Sequence, residues 1–267
     1  MFPKLLEIGP LTLHTYGALL AAACLSAIFL FARLGARDGV PRQRSWDLGF
    51  IIILSAIVGA KLLMILTDWE TYLKQDPSRF FTLGFWQAGG VYYGGLLGAM
   101  AASYLYVRRQ PSMDFRTVAD AAGPAIALGQ TIGRLGCFAA GCDYGQPCSL
   151  PWAVTFTSEY AHRVVGVPIN VALHPTQLYE SLATFTLFLV LLWLHGARRF
   201  KGQVFAAYLF CYSILRFGIE FFRGDADRGF VFGGALSTSQ FISLLLVPCA
   251  LLLYRHMRRN PVRARRV

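Results

Sequence analysis

The chain has 267 residues, of which 55% are hydrophobic and only 15% are charged, and its formal net charge is +11. A soluble domain carries roughly a quarter of its residues as charged side chains, so this composition excludes an ordinary soluble protein. Positive charge can indicate a nucleic-acid partner. Here the arginines lie in short loops between apolar stretches, where they set membrane topology instead. The composition therefore predicts an all-α, polytopic membrane protein and no nucleic-acid partner.

Apolar stretches of the length that crosses a bilayer, about 20 residues, recur along the chain. We expect seven transmembrane helices, at residues 14–34, 46–67, 90–107, 118–138, 175–194, 204–222 and 234–254. A short interfacial arm, 1–12, precedes them, and the longest non-spanning segment is 139–174, in which 151–157 favours a short strand. The whole chain, 1–267, is expected to form a single integral-membrane domain.

Lysine and arginine are distributed unequally between the two sides of these spans. Sixteen of the 25 fall in 33–46, 108–116, 198–201 and the basic tail 255–267, whereas six fall in the loops on the other side. Because an excess of basic residues in short loops marks the cytoplasmic side, the N-terminus is expected outside, the C-terminus and tail in the cytoplasm, and segment 139–174 outside.

Nearly every ionisable or strongly polar group within the spans then lies in the outer half of the membrane. These residues are Tyr16, Lys61, Tyr93, Arg134, Gln177, Tyr179, Glu180, Arg216 and Glu220. Random placement would divide them between the two leaflets. The pattern predicts one polar cavity that opens towards the outer leaflet.

Arg134 lies in the stretch G-R-L-G-C-F-A-A-G-C-D-Y-G at 133–145, near the end of the fourth span. An arginine inside a bilayer costs about 2.5–3.5 kcal/mol on insertion scales, so it should have an acidic partner or an anionic ligand. The sequence leaves both open: binding of a phosphate, or pairing with Glu180 or Glu220.

Arg216 and Glu220 are four residues apart and share a helix face. They predict either a structural ion pair or an arginine that Glu220 holds towards a phosphate, an anion that arginine binds through bidentate hydrogen bonds. The sequence leaves two roles open for Lys61: its side chain extends to the membrane surface, or it binds a ligand. The stretch G-G-V-Y-Y-G-G-L-L-G at 89–98 favours either close helix packing or backbone N–H groups turned towards an anion.

Six cysteines are present, and Cys24, Cys211 and Cys249 lie in apolar runs, where packing is the simplest role. The cluster Cys137, Cys142 and Cys148 allows four interpretations: a disulfide such as Cys142–Cys148, unpaired packing residues, a zinc site or a catalytic thiol.

Six ordered blocks of sequence resemble one family. They are H-T-Y-G at 14–17, the glycine-rich stretch at 89–98, the stretch at 133–145, H-P-T-Q-L-Y-E at 174–180, R-F-G-I-E-F-F-R at 216–223 and L-S-T-S-Q at 236–240. Together they resemble the phosphatidylglycerol–prolipoprotein diacylglyceryl transferases, which are integral enzymes of the bacterial inner membrane with an active site towards the periplasmic leaflet. The resemblance implies that the outer side of this chain is the periplasm.

The resemblance also implies an activity. The family transfers the diacylglyceryl group of phosphatidylglycerol to the thiol of the lipobox cysteine in a prolipoprotein signal peptide, forming a thioether and releasing glycerol phosphate. The expected partners are phosphatidylglycerol, such signal peptides and membrane lipids, and no cofactor or metal is implied. The alternatives are a paralogue with a different acceptor and a seven-span transporter.

The family's functional residues carry over to part of this sequence. Its essential arginine matches Arg134, its Arg-x-x-x-Glu matches Arg216 and Glu220, and its early tyrosine matches Tyr16. Tyr93 stands where many members have histidine, so Tyr93 or Tyr16 is expected to accept the thiol proton or bind the headgroup. The residues expected to bind phosphatidylglycerol are Arg134, Arg216, Gly94, Gly95, Gly145 and Lys61.

The signature also departs from the family at three positions. Cys137 stands where the family has asparagine, and Ala140 and Cys142 stand where it has asparagine and glutamate. A mechanism in which histidine acts as the general base therefore does not carry over.

Overall fold

The computed structural model describes residues 3–8, 11–75, 82, 85, 90–225 and 228–262. This part of the chain is mostly helical. Its long helices are α1 (Thr15–Arg37), α2 (Arg42–Thr67), α3 (Tyr92–Arg108), α4 (Phe115–Ala140), α6 (Thr176–Ala197), α7 (Gln203–Ile219) and α8 (Thr238–Arg259); α5 (Glu159–Val165) is short. Each predicted span coincides with one long helix.

Five of these helices, α1, α2, α6, α7 and α8, are long and apolar enough to cross a membrane. Helix α3 has only 17 residues, about 26 Å at 1.5 Å per residue, which is shorter than the hydrocarbon core of about 30 Å. Helix α4 has 26 residues but includes two arginines, an aspartate and several glycines. The expectation of a multi-pass helical membrane protein is therefore confirmed for five helices. The expected number of seven spans stays a prediction.

Short antiparallel strand pairs accompany the helices. Strand β1 (Lys4–Ile8) pairs with β2 (Leu11–His14), β3 (Val154–Thr155) with β4 (Ala172–Leu173), and β5 (Phe230–Val231) with β6 (Leu236–Ser237). The strand expected within 151–157 is confirmed as β3. The arm predicted at 1–12 forms the β1–β2 hairpin, which the sequence analysis did not foresee. A π-helical turn, Glu70–Gln75, and 3-10 turns at Glu220–Phe222 and Phe232–Gly234 complete the elements.

The chain divides into two compact units, and each is described by itself. The first comprises residues 1–34 and 119–267, and the second comprises residues 35–118. In the second unit, helices α2 and α3 approach each other through glycines. A Cβ built on Gly98 would lie 2.5 Å from the Ser55 carbonyl oxygen and 3.3 Å from the Cα of Gly59. This close approach supports the packing interpretation of the glycine-rich stretch.

In the first unit, a buried aspartate of α4 caps helix α7. The carboxylate oxygens of Asp120 accept hydrogen bonds from the backbone N–H groups of Gly202 (2.8 Å), Val204 (2.9 Å) and Phe205 (3.0 Å). These donors have no partner within their own helix. The Arg198 guanidinium lies 3.6 Å from the same carboxylate, so the charge of Asp120 is balanced where it is buried.

The segment between α4 and α6 has a small core of its own, formed by Phe156, Ala161, Val167 and Leu173. Ser158 caps the start of α5 and Gly166, with φ +68°, ends it. Gly141, with φ +86°, ends α4 in the same left-handed conformation. This turn directs the chain after α4 back towards the end of that helix, where the candidate site lies.

Candidate active site

The site is built around Arg134, in the last turns of α4. Its Nη2 lies 3.1 Å from Glu180 Oε1, and its Nη1 lies 3.2 Å from Asp143 Oδ2. Glu180 comes from the second turn of α6 and is almost completely buried. The arginine predicted within the membrane therefore has two acidic partners: Glu180, one of the alternatives that the sequence left open, and Asp143.

Asp143 is held in place through its backbone. Its φ of +58° is in the left-handed region, which aspartate tolerates better than most residues. Its carbonyl oxygen accepts a hydrogen bond from the Thr176 hydroxyl at 2.7 Å, and the carbonyl oxygen of Cys142 accepts one from Gln177 Nε2, also at 2.7 Å. The start of α6 thus fixes the loop that carries the Asp143 carboxylate.

A second arginine shares the Asp143 carboxylate. Arg223 Nη2 lies 2.6 Å from Asp143 Oδ1, while its Nε donates a 2.9 Å hydrogen bond to Asp225. Burial would raise the pKa of Asp143, but the guanidinium groups of Arg134 and Arg223 lower it to about 2. Burial would lower the pKa of Arg223, but Asp225 and Asp143 raise it above its ordinary value. The Asp143 carboxylate therefore stays ionised between two cations.

Arg216 and Glu220 form the other half of the site. Their Nη1 and Oε2 atoms are 2.7 Å apart, and Arg216 also donates a 3.0 Å hydrogen bond to the Ser239 hydroxyl. Arg228 lies 3.7 Å from the second oxygen of Glu220 and donates to the carbonyl oxygen of Arg223 at 3.0 Å. The pairing that the spacing of Arg216 and Glu220 allows is thus observed, and Arg228 joins it to the Asp143 group.

These contacts form one continuous group, which we call the arginine network. Its members are Arg134, Asp143, Glu180, Arg216, Glu220, Arg223, Asp225 and Arg228. Four cations balance four carboxylates, so the buried charge is compensated. Each guanidinium has five N–H donors, more than its carboxylates use, and an anion that reaches the network can accept those that remain.

Tyr16 and Gly145, two further predicted site residues, belong to the same unit. Tyr16, at the start of α1, packs against Gly136, where a Cβ would lie 3.3 Å from the tyrosine ring. Gly145 pairs with Arg223 in an isolated β-bridge, and a Cβ on Gly145 would lie 2.6 Å from the Cβ of His174. Gly145 therefore allows two loop segments to pass close together beside the network.

The remaining predicted site residues belong to the second unit. Lys61 Nζ donates a 2.5 Å hydrogen bond to the carbonyl oxygen of Phe85. The same nitrogen lies 4.6 Å from the centre of the Phe85 aromatic ring. Gly94 and Gly95 are buried against α2, and Tyr93 is 40% exposed at the start of α3. The structure thus groups Tyr16, Arg134, Gly145, Arg216 and Glu220 in one unit, and Lys61, Tyr93, Gly94 and Gly95 in the other.

Sequence reasoning missed part of the network. Asp143 follows the helix break at Gly141, and Arg223, Asp225 and Arg228 lie beyond the expected sixth span, so none of the four was among the predicted site residues. A signal was present, because Asp143 and Arg223 lie inside two of the blocks that resemble the family, at 133–145 and 216–223. Charged residues at the end of a membrane helix can continue a polar site into the adjacent loop.

The six cysteines, all in the described part of the chain, are free thiols. The alternative of a Cys142–Cys148 disulfide is therefore not the state seen here. The sulfurs of Cys137 and Cys142 and a carboxylate oxygen of Asp143 lie within 4.8 Å of one another, a grouping that could hold a metal ion. However, Arg134 Nη1 is 3.9 Å from Cys137 Sγ, and Asp143 is already bound to two guanidinium groups, so local positive charge opposes a cation.

Comparison with known proteins agrees with this arrangement. A model of the prolipoprotein diacylglyceryl transferase family matches residues 3–255. A phosphatidylglycerol–prolipoprotein diacylglyceryl transferase of Clostridium tetani is 38% identical over 248 residues, which are 92% of this chain and 94% of that protein. The protein named phosphatidylglycerol–prolipoprotein diacylglyceryl transferase 2 of Clostridium perfringens is 35% identical, over 93% of this chain and 92% of its own length.

The match covers every element of the arginine network and reaches into the last helix, α8. Together with the ordered sequence blocks and the helices found at the predicted positions, it settles the assignment. This chain belongs to the prolipoprotein diacylglyceryl transferase family.

Proposed function

We propose that this chain is an enzyme that transfers the diacylglyceryl group of phosphatidylglycerol to the thiol of the lipobox cysteine in prolipoprotein signal peptides. The observation that carries this conclusion is the family match over residues 3–255. On the structural side, it is supported by the arginine network, which provides guanidinium groups suited to an anionic headgroup. The family membership also removes the transporter alternative.

In this reaction the acceptor cysteine attacks as a thiolate, the reactive form of the thiol. Its sulfur forms a bond to the terminal glyceryl carbon of the lipid while the bond from that carbon to the phosphate oxygen breaks. The electron pair leaves with glycerol phosphate, which gains negative charge. We assign Arg134 and Arg216 to bind the headgroup phosphate and to stabilise that charge.

The acidic residues of the network have a positioning role in this proposal. Glu180 and Asp143 hold the Arg134 guanidinium from two sides, and Glu220 holds Arg216. Because each guanidinium is fixed before the lipid arrives, little reorganisation is needed when charge develops on the phosphate. Gly145, Gly94, Gly95 and Lys61 complete the proposed phosphatidylglycerol-binding residues.

We assign the thiol proton, or a hydrogen bond to the headgroup, to one of two tyrosines. Tyr16 packs against the helix that carries Arg134, which supports a role for Tyr16 in this site. Tyr93 occupies the position at which many family members have histidine. A Phe variant at each position, assayed for transfer, separates these assignments.

We further propose that residues 1–267 act as one multi-pass domain of the bacterial inner membrane. The N-terminus and segment 139–174 are placed in the periplasm and the tail, 255–267, in the cytoplasm. The distribution of basic residues supports this orientation. Helix α8 continues to Arg259, so the tail begins as helix, and residues 263–267 lie outside the described part.

The test uses purified protein in detergent with phosphatidylglycerol and a lipobox-bearing signal peptide. Mass spectrometry should detect a diacylglyceryl adduct on the peptide cysteine that is lost with Arg134→Ala. A folded protein that binds the lipid but gives no adduct would favour the paralogue with another acceptor. The substitutions Cys137→Asn and Cys142→Glu, which restore the family's residues, would then be tested first.

A further inference from the structure

Cys137 and Cys142 are brought together by the turn that ends α4. Cys137 lies in the last turn of the helix, and Cys142 lies two residues beyond its end. The left-handed Gly141 between them, with φ +86°, brings the Cys142 sulfur to 3.8 Å from the carbonyl oxygen of Cys137. The two sulfurs lie within 4.8 Å of each other, and both side chains are partly exposed.

We propose that Cys137 and Cys142 form a redox-active dithiol that closes to a disulfide and thereby weakens anion binding at Arg134. A disulfide has an S–S length of about 2.0 Å, so closure requires the two sulfurs to approach each other by less than 3 Å or so. The proposal rests on the proposed function only for its effect on transfer.

The reaction is thiol–disulfide exchange, and its oxidant is a disulfide of another molecule. The Cys137 thiolate attacks one sulfur of the oxidant, forms a mixed disulfide and expels one thiol. Cys142 then attacks the Cys137 sulfur and expels the second thiol. One internal S–S bond forms, one external S–S bond breaks, and the two protons of the cysteines leave with the two product thiols.

The surroundings assign different roles to the two cysteines. Arg134 Nη1 lies 3.9 Å from Cys137 Sγ, so the attacking sulfur is beside a cation that attracts a thiolate. The pKa of the Cys142 thiol is raised, first by its interaction with the Cys137 side chain and then by burial. Cys142 is therefore the less reactive thiol while Cys137 is free, and it attacks second, once the Cys137 sulfur is held in the mixed disulfide.

A disulfide between Cys137 and Cys142 would act directly on the residues that contact Arg134. The Cys137 sulfur would exchange its contact with Arg134 for a bond to Cys142. Cys142 immediately precedes Asp143, whose carboxylate binds Arg134 and Arg223. The Thr176 hydroxyl and the Gln177 side-chain amide donate hydrogen bonds to the backbone carbonyl oxygens of Asp143 and Cys142. A new covalent link at Cys142 pulls against these anchors and shifts the Asp143 carboxylate relative to the guanidinium groups.

The first measurement needs no substrate. The folded, reduced protein in detergent is equilibrated with glutathione disulfide at increasing ratios to glutathione, alkylated with N-ethylmaleimide, digested and examined by mass spectrometry. We expect a peptide linked through Cys137 and Cys142, while Cys148 stays alkylated. Three results would overturn the proposal: a Cys142–Cys148 link, glutathione adducts alone, or full alkylation of Cys137 and Cys142 when glutathione disulfide is present without reduced glutathione.

The second measurement follows transfer activity on the same samples. Oxidation should lower transfer at least tenfold, and dithiothreitol should restore it. Cys142→Ser should abolish the response to oxidation, whereas the matched control Cys148→Ser should keep it. A linked peptide without any change in transfer would contradict the coupling to Arg134, and an absence of transfer in the reduced protein would count against the proposed function instead.

Discussion

Arg134 of α4 and Glu180 of α6 form an ion pair, with Nη2 3.1 Å from Oε1, and only 3% of the Glu180 side chain is exposed. This pair explains why an arginine can lie at the end of an otherwise apolar helix, since a buried charge is tolerated where it is paired. The Arg134 side chain itself is 19% exposed. The guanidinium is therefore anchored by two carboxylates, Glu180 and Asp143, while part of the Arg134 side chain stays accessible.

This arrangement predicts that the shape of the guanidinium matters as well as its charge. Arg134→Lys keeps the charge but removes the fork that binds two partners at once. We expect kcat for diacylglyceryl transfer to fall by roughly 10²–10³, the range seen when one donor to a developing charge is removed. The measurement is peptide lipidation over time with varied phosphatidylglycerol.

The matched control is Arg163→Gln, which removes an exposed arginine of the short helix α5. It should leave kcat within about twofold of the parent protein, because surface charges away from a site contribute little. If Arg134→Lys retained full activity, Arg134 would be a structural cation, and the phosphate-binding role would pass to Arg216.

The Arg216–Glu220 pair makes a separate prediction about stability. Glu220→Gln leaves Arg216 and Arg228 with a neutral partner in a buried position, and breaking a buried pair on one side costs about 3–5 kcal/mol. Arg216→Gln should cost a similar amount, and the double variant less than the sum of the two. Unfolding in detergent, followed by intrinsic fluorescence, gives the three values, and strict additivity would show that the pair is not coupled.

The fold and the site differ in how far the sequence could predict them. Continuous apolar stretches located every long helix of the described residues, because burial in a membrane needs continuous hydrophobic length. Even the short helix α3 was expected at 90–107, within two residues of its observed ends, Tyr92 and Arg108. The two-residue strands β5 and β6 were not predicted, because they are too short to produce an alternating pattern, whereas β3 was expected within 151–157.

In the site, Arg134, Arg216 and Glu220 could be predicted because charged groups are rare inside membrane helices. Their loop partners lie in sequence blocks that resemble the family, but which residue pairs with which could not be predicted. Asp143 reaches Arg134 only because Gly141 reverses the chain, and Arg223 reaches Asp143 through an isolated bridge to Gly145. Neither the turn at Gly141 nor the bridge to Gly145 follows from helical spacing, and these ion pairs depend on both.

Asp143 gives the network a predicted response to acid. The folded pKa of Asp143, about 2, is below its ordinary value of 3.8. Its contribution to stability is therefore present above pH 4 or so and is lost as the pH falls through about 2. A shift of this size corresponds to on the order of 2 kcal/mol. Other carboxylates titrate in the same window, and the comparison must therefore be made with Asp143→Asn.

We expect the difference in unfolding free energy between the parent protein and Asp143→Asn to be largest near pH 6 and to shrink between pH 4 and pH 2. Thermal unfolding at several pH values within this range measures it. A difference that stayed constant down to pH 2 would show that the ionised carboxylate does not stabilise the fold through Arg134 and Arg223.

Gly145 predicts an effect of a single methyl group. Gly145→Ala would place a Cβ 2.6 Å from the Cβ of His174 and 3.0 Å from its carbonyl carbon, so the backbone itself must move. We expect the free energy of unfolding to fall by about 1–3 kcal/mol, as for other overpacked sites. Transfer should also fall, because Gly145 forms a β-bridge with Arg223 and lies two residues from Asp143. Gly196→Ala is the matched control, since nothing lies within 4 Å of its Cβ, and it should be neutral or stabilising.

The cap at Asp120 allows stability to be separated from chemistry. Asp120 caps the start of α7, whereas Arg216 and Glu220 lie near the end of that helix. At 1.5 Å per residue, the start of α7 is about 20–25 Å from these two residues. Asp120→Ala removes the acceptor of three backbone N–H groups and leaves Arg198 without its carboxylate. We expect the protein to lose about 2–4 kcal/mol of stability while transfer per folded molecule stays within twofold. Asp120→Asn, which keeps an oxygen acceptor, should lose less, and a selective fall in kcat with unchanged stability would show that the two ends of α7 are coupled.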